Sequence, residues 1–185
     1  MPRRKLFRRA RRGFPLPRWI WLVVLGLLIA ARLAGLWPEG PPVELSPGVY
    51  SVSEVVDGDT LRLINGARIR LIGVDAPEMA GSHGRPEPGA EAATQFVRQL
   101  VDSAGGQVRL EFDRILKDQY GRFLAYVYAG DIFVNEELLR QGLARSRLEF
   151  NFSSIMKTRF RQAEESARQA SRGIWQLKGE PPTSN

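Results

Sequence analysis

Asn65-Gly66 is the point from which the fold of this chain can be built. Asn-Gly favours the two-residue turns whose twist matches a pair of antiparallel strands, so it is a strong local hairpin signal. Residues 60–64 before it and 68–74 after it mix β-branched or aliphatic residues with Thr or Arg at alternate positions, as strands do. In an antiparallel hairpin the residue entering the first strand lies beside the residue leaving the second. Both ends are acidic here: Asp57-Gly58-Asp59-Thr60 on one side, Asp75-Ala76-Pro77-Glu78 on the other. Asp59 and Asp75 are therefore predicted to meet at one end of a sheet, with Glu78 and Arg70 close by. Two carboxylates at that range repel unless a proton or a cation lies between them. The arrangement predicts a hard metal ion.

The 185 residues give room for one ordinary domain plus a further segment. There is no cysteine, which excludes disulfides, thiolate metal sites and cysteine nucleophiles. The single histidine, His83, falls in the Gly/Pro-rich stretch 81–89 and reads as a solvated loop residue. Histidine triads and multi-histidine zinc sites are not expected, so a hydrolase built on this chain has to use carboxylates, arginines and a metal. The net charge of +7 suggests a nucleic-acid partner until its distribution is examined. Residues 1–43 hold nine of the 27 basic residues and one of the 20 acidic ones, leaving 18 against 19 in the remainder. The basicity belongs to the N-terminal end, and a nucleic-acid role has to rest on specific arginines.

That N-terminal end has its own logic. Residues 1–18 carry eight Lys and Arg and no acid, and residues 19–31 contain no charged or polar side chain except the indoles of Trp19 and Trp21. Counted through Trp37, with Arg32 as its one charge, the apolar run is nineteen residues. As a helix it would span about 28 Å, close to the thickness of a bilayer core. Tryptophans at both ends fit membrane interfaces. An uncleaved transmembrane signal anchor and a cleaved signal peptide both fit. Each leaves the basic segment in the cytoplasm and exports the rest, to a periplasmic or extracellular position. Residues 38–48 read as a Pro/Gly-rich linker and residues 178–185 as a flexible tail.

The folded domain is predicted over 49–177. Strand patterns occur at 49–56, 60–64, 68–74, 108–112 and 123–128, and helical spacing at 90–103, 134–140 and 154–172. Five strands and three helices predict an α+β domain built as a small barrel with helices packed outside. The apolar stripe of the last helix, with Ile155, Met156, Phe160, Ala163 and Ala167, is read as a core face. Tyr126 and Tyr128 are read as barrel residues and Trp175 as a plug behind the last helix.

Residues 50–176 resemble the staphylococcal (micrococcal) nuclease, or thermonuclease-like, family. The likeness runs through Val-Asp-Gly-Asp-Thr at 56–60, Arg-Leu-Ile-Gly-Val-Asp-Ala-Pro-Glu at 70–78 and Asp-Gln-Tyr-Gly-Arg at 118–122. It continues in Leu-Ala-Tyr-Val-Tyr at 124–128, Val-Asn-Glu-Glu-Leu-Leu-Arg-Gln-Gly-Leu-Ala at 134–144 and Gly-Ile-Trp at 173–175. The resemblance implies a five-stranded OB-fold barrel and calcium-dependent hydrolysis of phosphodiester bonds in DNA and RNA, with other divalent ions open. It implies Asp59, Asp75 and the main-chain carbonyl of Ala76 as metal ligands, with Asp57 and Thr60 in support. Arg70, Arg122 and Glu78 match the catalytic residues: the arginines to stabilise charge on the phosphoryl oxygens, the glutamate to activate water. Tyr120, Gln119 and Phe150 match the substrate-binding positions.

The chain departs from the family pattern at Ala76 and Gln119, which stand where threonine and lysine are usual, and at Leu148, which cannot stack on a base. Nucleic acid, a membrane through the N-terminal helix, and no second subunit are the partners these readings imply. The competing reading is a membrane-tethered binding module with a nuclease-like barrel and no catalysis. Such a copy would be expected to lose one of the acids or arginines, and all are present.

Overall fold

The computed structural model describes residues 18–33, 43–80 and 84–176. The chain divides into two compact units, 1–42 and 43–185. In the first, helix α1 (Arg18–Leu33) is 16 residues long. Among the described residues no helix is long and apolar enough to cross a membrane. Of the helix expected over 19–37, the structure describes the part up to Leu33. Residues 34–37 lie outside the described residues, as do 1–17, His83, the first part of the expected linker (38–42) and the tail.

The second unit is an α+β barrel. Its elements are β1 (Gly48–Asp57), β2 (Thr60–Leu63), β3 (Arg68–Leu71), β4 (Val74–Asp75), α2 (Ala90–Ser103), β5 (Gln107–Lys117) and β6 (Phe123–Ala129). They continue with β7 (Ile132–Phe133), α3 (Val134–Arg140), β8 (Arg145–Ser146), α4 (Ser154–Gln169) and a 3-10 turn at Gly173–Trp175. The main sheet has the order β3-β2-β1-β5-β6-β7, and β3 also pairs in parallel with β6. That extra pairing closes β1, β2, β3, β5 and β6 into a five-stranded barrel, which removes the free edges a short open sheet would expose.

Alternation decides which side chains fill the barrel. In β3, Ile69 and Leu71 are buried while Arg68 is exposed and Arg70 half-buried. Leu61, Leu63, Leu110 and Val127 join them inside, each side chain worth about 1.5–3 kcal/mol on full burial. Ala93 and Val97 of α2, Leu138 and Leu139 of α3, and Phe160, Ala163 and Ala167 of α4 cover the outside of the barrel in one continuous core.

The expected strand 68–74 is two strands, β3 and β4, broken at 72–73. Gly73 has φ +70°, and a Cβ there would lie 2.7 Å from ring atoms of both Phe152 and Phe160. Only glycine fits both the backbone and the space. Fully buried Asn135 fixes the same bend: its Nδ2 donates to the Ile72 carbonyl (2.9 Å), and its Oδ1 accepts from the Val127 N–H (2.9 Å). β5 runs on to Lys117, beyond the expected end at 112, through an irregularity between Phe112 and Lys117.

Candidate active site

The β2–β3 register pairs Thr60 with Arg70. Asp59 consequently lies across from Leu71, whose N–H donates to the Asp59 carbonyl (2.9 Å). Asp75 reaches the same place by another route. The bend at Gly73 turns β4 away from β3, and β4 pairs with β8, where Asp75 stands opposite Arg145. The two carboxylates are therefore joined by more than a hairpin, and the cation between them is Arg70. Its Nη1 forms an ion pair with Asp59 Oδ2, and its Nη2 donates to Asp75 Oδ1 (2.9 Å). The Nη1 atom is buried but lacks hydrogen-bond alignment in that contact.

Asp59 is 5% exposed and tightly held. Its carboxylate accepts from the Ala76 N–H (2.7 Å) and the Thr60 hydroxyl (3.1 Å), and its own N–H donates to Asp57 Oδ1 (3.0 Å). Gly58 makes this closeness possible, because a Cβ there would fall 2.7 Å from the Cβ atoms of Ala76 and Ala93. Burial pushes the Asp59 carboxyl up to about 7, against the Arg70 guanidinium and the Ala76 N–H, with Asp57 adding to the rise. A carboxyl so raised lacks enough positive charge around it.

The oxygens at this point are those of two carboxylates, hard donors of the kind a divalent cation such as calcium or magnesium takes, and the Ala76 main chain adjoins them through its N–H on Asp59. Among the described residues no group of three or more acidic or histidine side chains converges as a metal site. A cation here would complete its shell with backbone oxygen and water. The feature that favours one is geometric: the Asp59 and Asp75 carboxylates both face the single Arg70 guanidinium.

A second set of residues comes from the turn between β5 and β6. Asp118 Oδ1 accepts from the N–H groups of Tyr120 (2.9 Å) and Arg122 (3.0 Å), and its Oδ2 accepts from Arg122 Nε (2.7 Å). Partial burial tends to raise the Asp118 carboxyl, but these bonds outweigh it and hold the group below the usual carboxylate range. One side chain thus shapes the turn and aims Arg122. The Tyr120 ring is exposed, 5.5 Å from the Arg122 guanidinium. Arg70, Asp75, Arg122, Gln119, Tyr120 and Phe150 line one cleft of about 460 Å³.

The predicted residues are not all gathered there. Glu78 lies on the loop after β4 with its side chain exposed. Its backbone is tied to Glu87, accepting from the Glu87 N–H (2.9 Å) and donating to Glu87 Oε2 (3.1 Å). Among the described residues no hydrogen bond or ion pair joins Glu78 to Asp59, Asp75, Arg70 or Arg122. The expectation that it would stand beside Arg70 is not met by any polar contact. Conversely, sequence reasoning passed over Arg147, which donates from Nη1 to Asp75 Oδ2 (3.1 Å) and lines the cleft. It also passed over Asp113, which accepts from the Tyr126 hydroxyl (2.7 Å) and the Ser153 N–H (2.8 Å) at the cleft wall. Arg147 sits in Arg-Ser-Arg-Leu-Glu at 145–149, where nothing marks one arginine above the other.

The model of a family described as staphylococcal nuclease homologue matches residues 68–177. The chain belongs to the staphylococcal nuclease family. It is 37% identical over 130 residues to a thermonuclease of Staphylococcus intermedius, covering 69% of this chain and 76% of the relative. It is 35% identical over 162 residues to a thermonuclease of Staphylococcus hyicus, covering 83% and 94%. Endonuclease YncB of Bacillus subtilis (strain 168) is 35% identical over 133 residues, covering 70% of this chain and 62% of its own length. The protein is a nuclease of this family. In the nuclease the matched stretch opens at β3, so it takes in Arg70, Asp75, Glu78, Arg122 and Arg147, whereas Asp57, Asp59 and Thr60 come just before it.

Proposed function

We propose that this nuclease is a monomeric, calcium-dependent hydrolase of phosphodiester bonds in DNA or RNA. Asp59, Asp75 and the Ala76 carbonyl would hold the cation. The observation that carries the reading is Arg70, a guanidinium set between two carboxylates on the floor of a cleft that Arg122 also lines. When bound, the cation would neutralise the two acids and draw charge from a phosphoryl oxygen.

The chain's own groups supply the rest. A phosphodiester gains negative charge on its phosphoryl oxygens as water attacks. Donors already aimed at those oxygens stabilise the transition state more than the ground state. Arg70 and Arg122 are such donors, and a planar guanidinium can grip two phosphate oxygens at once. Asp118 occupies Nε of Arg122 and leaves its terminal nitrogens for the phosphate. Glu78 takes a proton from the water as its oxygen bonds to phosphorus. The bond from phosphorus to the leaving sugar oxygen breaks, and that oxygen takes a proton from solvent. Catalytic hydrogen bonds commonly tighten only in the substrate complex, so the exposed place of Glu78 in the free protein accords with this role. Tyr120, Gln119 and Phe150 face the nucleotide, with Phe150 able to stack on a base.

The purified chain should cut DNA or RNA oligonucleotides with calcium, stop with excess chelator and recover on calcium addition. Cutting that survives the chelator would sink the cation reading; no cutting of either polymer under any divalent ion would sink the whole. We further propose that the basic segment and apolar run hold the domain on the outer side of a membrane. Added protease should then degrade the domain on spheroplasts whose cytoplasmic proteins survive, and protection of the domain would refute that placement.

A further inference from the structure

A third guanidinium lines the cleft, and the roles proposed above do not use it. Arg147 follows β8, and its N–H donates to the Gly73 carbonyl (3.0 Å), so its backbone is fixed to the bend that carries Asp75. Its Nη1 donates to Asp75 Oδ2 (3.1 Å) while Arg70 holds Oδ1 of the same carboxylate. Its Nε is paired with Glu149, and its guanidinium stands 5.2 Å from the centre of the exposed Phe150 ring.

The three arginines lie at different depths. The Arg70 side chain is 17% exposed, that of Arg122 24% and that of Arg147 42%. Arg70 is the floor, Arg147 the rim. Arg122 beside Tyr120 and Arg147 beside Phe150 form two guanidinium–aromatic couples around one opening. A volume of about 460 Å³ is in the range of whole small-molecule ligands, larger than one phosphate requires. A strand laid through such a cleft places a phosphate at the floor and its neighbours at the rim.

We propose that Arg147 is a substrate-binding residue that grips the phosphate next to the scissile one. On this assignment the nuclease favours strands carrying several phosphates over a single isolated diester. In the free protein Asp75 holds Arg147 in place for that phosphate. The inference rests on the nuclease reading above and adds to it a strand-recognition contact.

The test compares wild type with Arg147→Ala and Arg147→Lys, as full chains with calcium, on thymidine octanucleotide and on thymidylyl-thymidine, which has one phosphodiester. Arg147→Ala should raise KM for the octanucleotide roughly tenfold with kcat little changed, and leave both constants for the dinucleotide near wild type. Octanucleotide binding, read in the Glu78→Gln background so that the strand survives, should lose about 0.7 from its log–log salt slope, the loss of one single-strand phosphate contact. Arg147→Lys should restore the slope. Arg147→Gln, which can still donate to Asp75, gives the same comparison should Arg147→Ala fail to fold.

Equal losses on the two substrates, or an unchanged salt slope, would overturn the assignment. So would a fall in kcat and calcium affinity with the slope intact, since Arg147 would then serve Asp75 alone. A wild type that cuts neither substrate would remove the nuclease reading and this inference together. A wild type that cuts both, beside a variant that does not discriminate, removes only the inference.

Discussion

The floor of the cleft and Glu78 are three positions apart at their nearest, Asp75 to Glu78, and are built in opposite ways. Asp59, Arg70 and Asp75 sit on paired strands or directly beside them, and every one of them is held by at least two polar contacts. Glu78 sits on a loop closed by its backbone bonds to Glu87, with its carboxyl in solvent. On the mechanism proposed above, the floor handles charge that must be stabilised without reorganisation, and rigid placement is what makes such stabilisation strong. A group that moves a proton needs only to reach its water when substrate is bound.

The comparison breaks most visibly if both regions are cut at once in separate proteins. Arg70→Ala should lose about 10²–10³ or more in kcat. It should also destabilise the fold by about 3–5 kcal/mol, because it leaves Asp59 buried without its partner. Glu78→Gln should lose rate by a similar factor and leave the urea midpoint where it was, since the side chain is exposed. Single-turnover cleavage and urea melts on the two variants separate the cases. A Glu78→Gln protein that unfolds like Arg70→Ala would show that the loop is part of the floor.

Asp59 sharpens the contrast through pH. Its carboxyl is raised from 3.8 to about 7 by burial, ahead of the opposing pull of Arg70, so the folded protein holds the proton more firmly than the unfolded chain. Without a cation, this group's penalty on stability is absent below pH 3.8, grows up to about pH 7 and is constant above. Stability should therefore fall over that window in chelator, and Asp59→Asn should flatten the fall. At calcium a hundredfold above its Kd, wild type at pH 8 should gain about 2.7 kcal/mol, and Asp59→Asn should gain none. Melts at pH 5 and pH 8, with calcium and with chelator, measure all four corners. A calcium gain retained by Asp59→Asn would take Asp59 out of the cation site.

What could be read from the sequence follows the same division. The five barrel strands and the three domain helices were legible because β-alternation, helical spacing and Asn65-Gly66 are local signals. The break at Gly73 was not, because it depends on Phe152 and Phe160 arriving from some eighty residues away. Asp59 and Asp75 could be placed near each other from the hairpin, but the hairpin could not show Arg70 standing between them. Register fixes the backbone of Arg70, whereas the reach of its guanidinium is a tertiary matter. Gly58 reads as a turn residue in sequence and proves to be a clearance residue against Ala76 and Ala93. Asn135, buried among hydrophobic neighbours in α3, gave no sign that it would hold both β6 and the bend before Asp75.

The turn 118–122 lies between the two extremes, and it gives the smallest expected effect. It is exposed like the Glu78 loop, yet one carboxylate determines it as firmly as the floor. Asp118→Asn can keep a carbonyl oxygen for the Tyr120 and Arg122 N–H groups, so the turn itself should survive. What changes is the partner of Arg122 Nε, which would meet an amide N–H or a neutral oxygen in place of a carboxylate. The arginine should then wander, and kcat should fall roughly tenfold, about 1.4 kcal/mol of transition-state stabilisation. Stability at neutral pH should fall by about 1–2 kcal/mol, since the pair is largely covered and loses a charge-assisted hydrogen bond. Burial acts to raise the Asp118 carboxyl but its hydrogen bonds depress it, so its contribution is present above the ordinary carboxylate range and lost as pH falls through the lower folded value. The variant should lack that share of acid destabilisation. An Asp118→Asn enzyme with wild-type kcat would mean that Arg122 needs no aiming, and that the turn belongs with the loop.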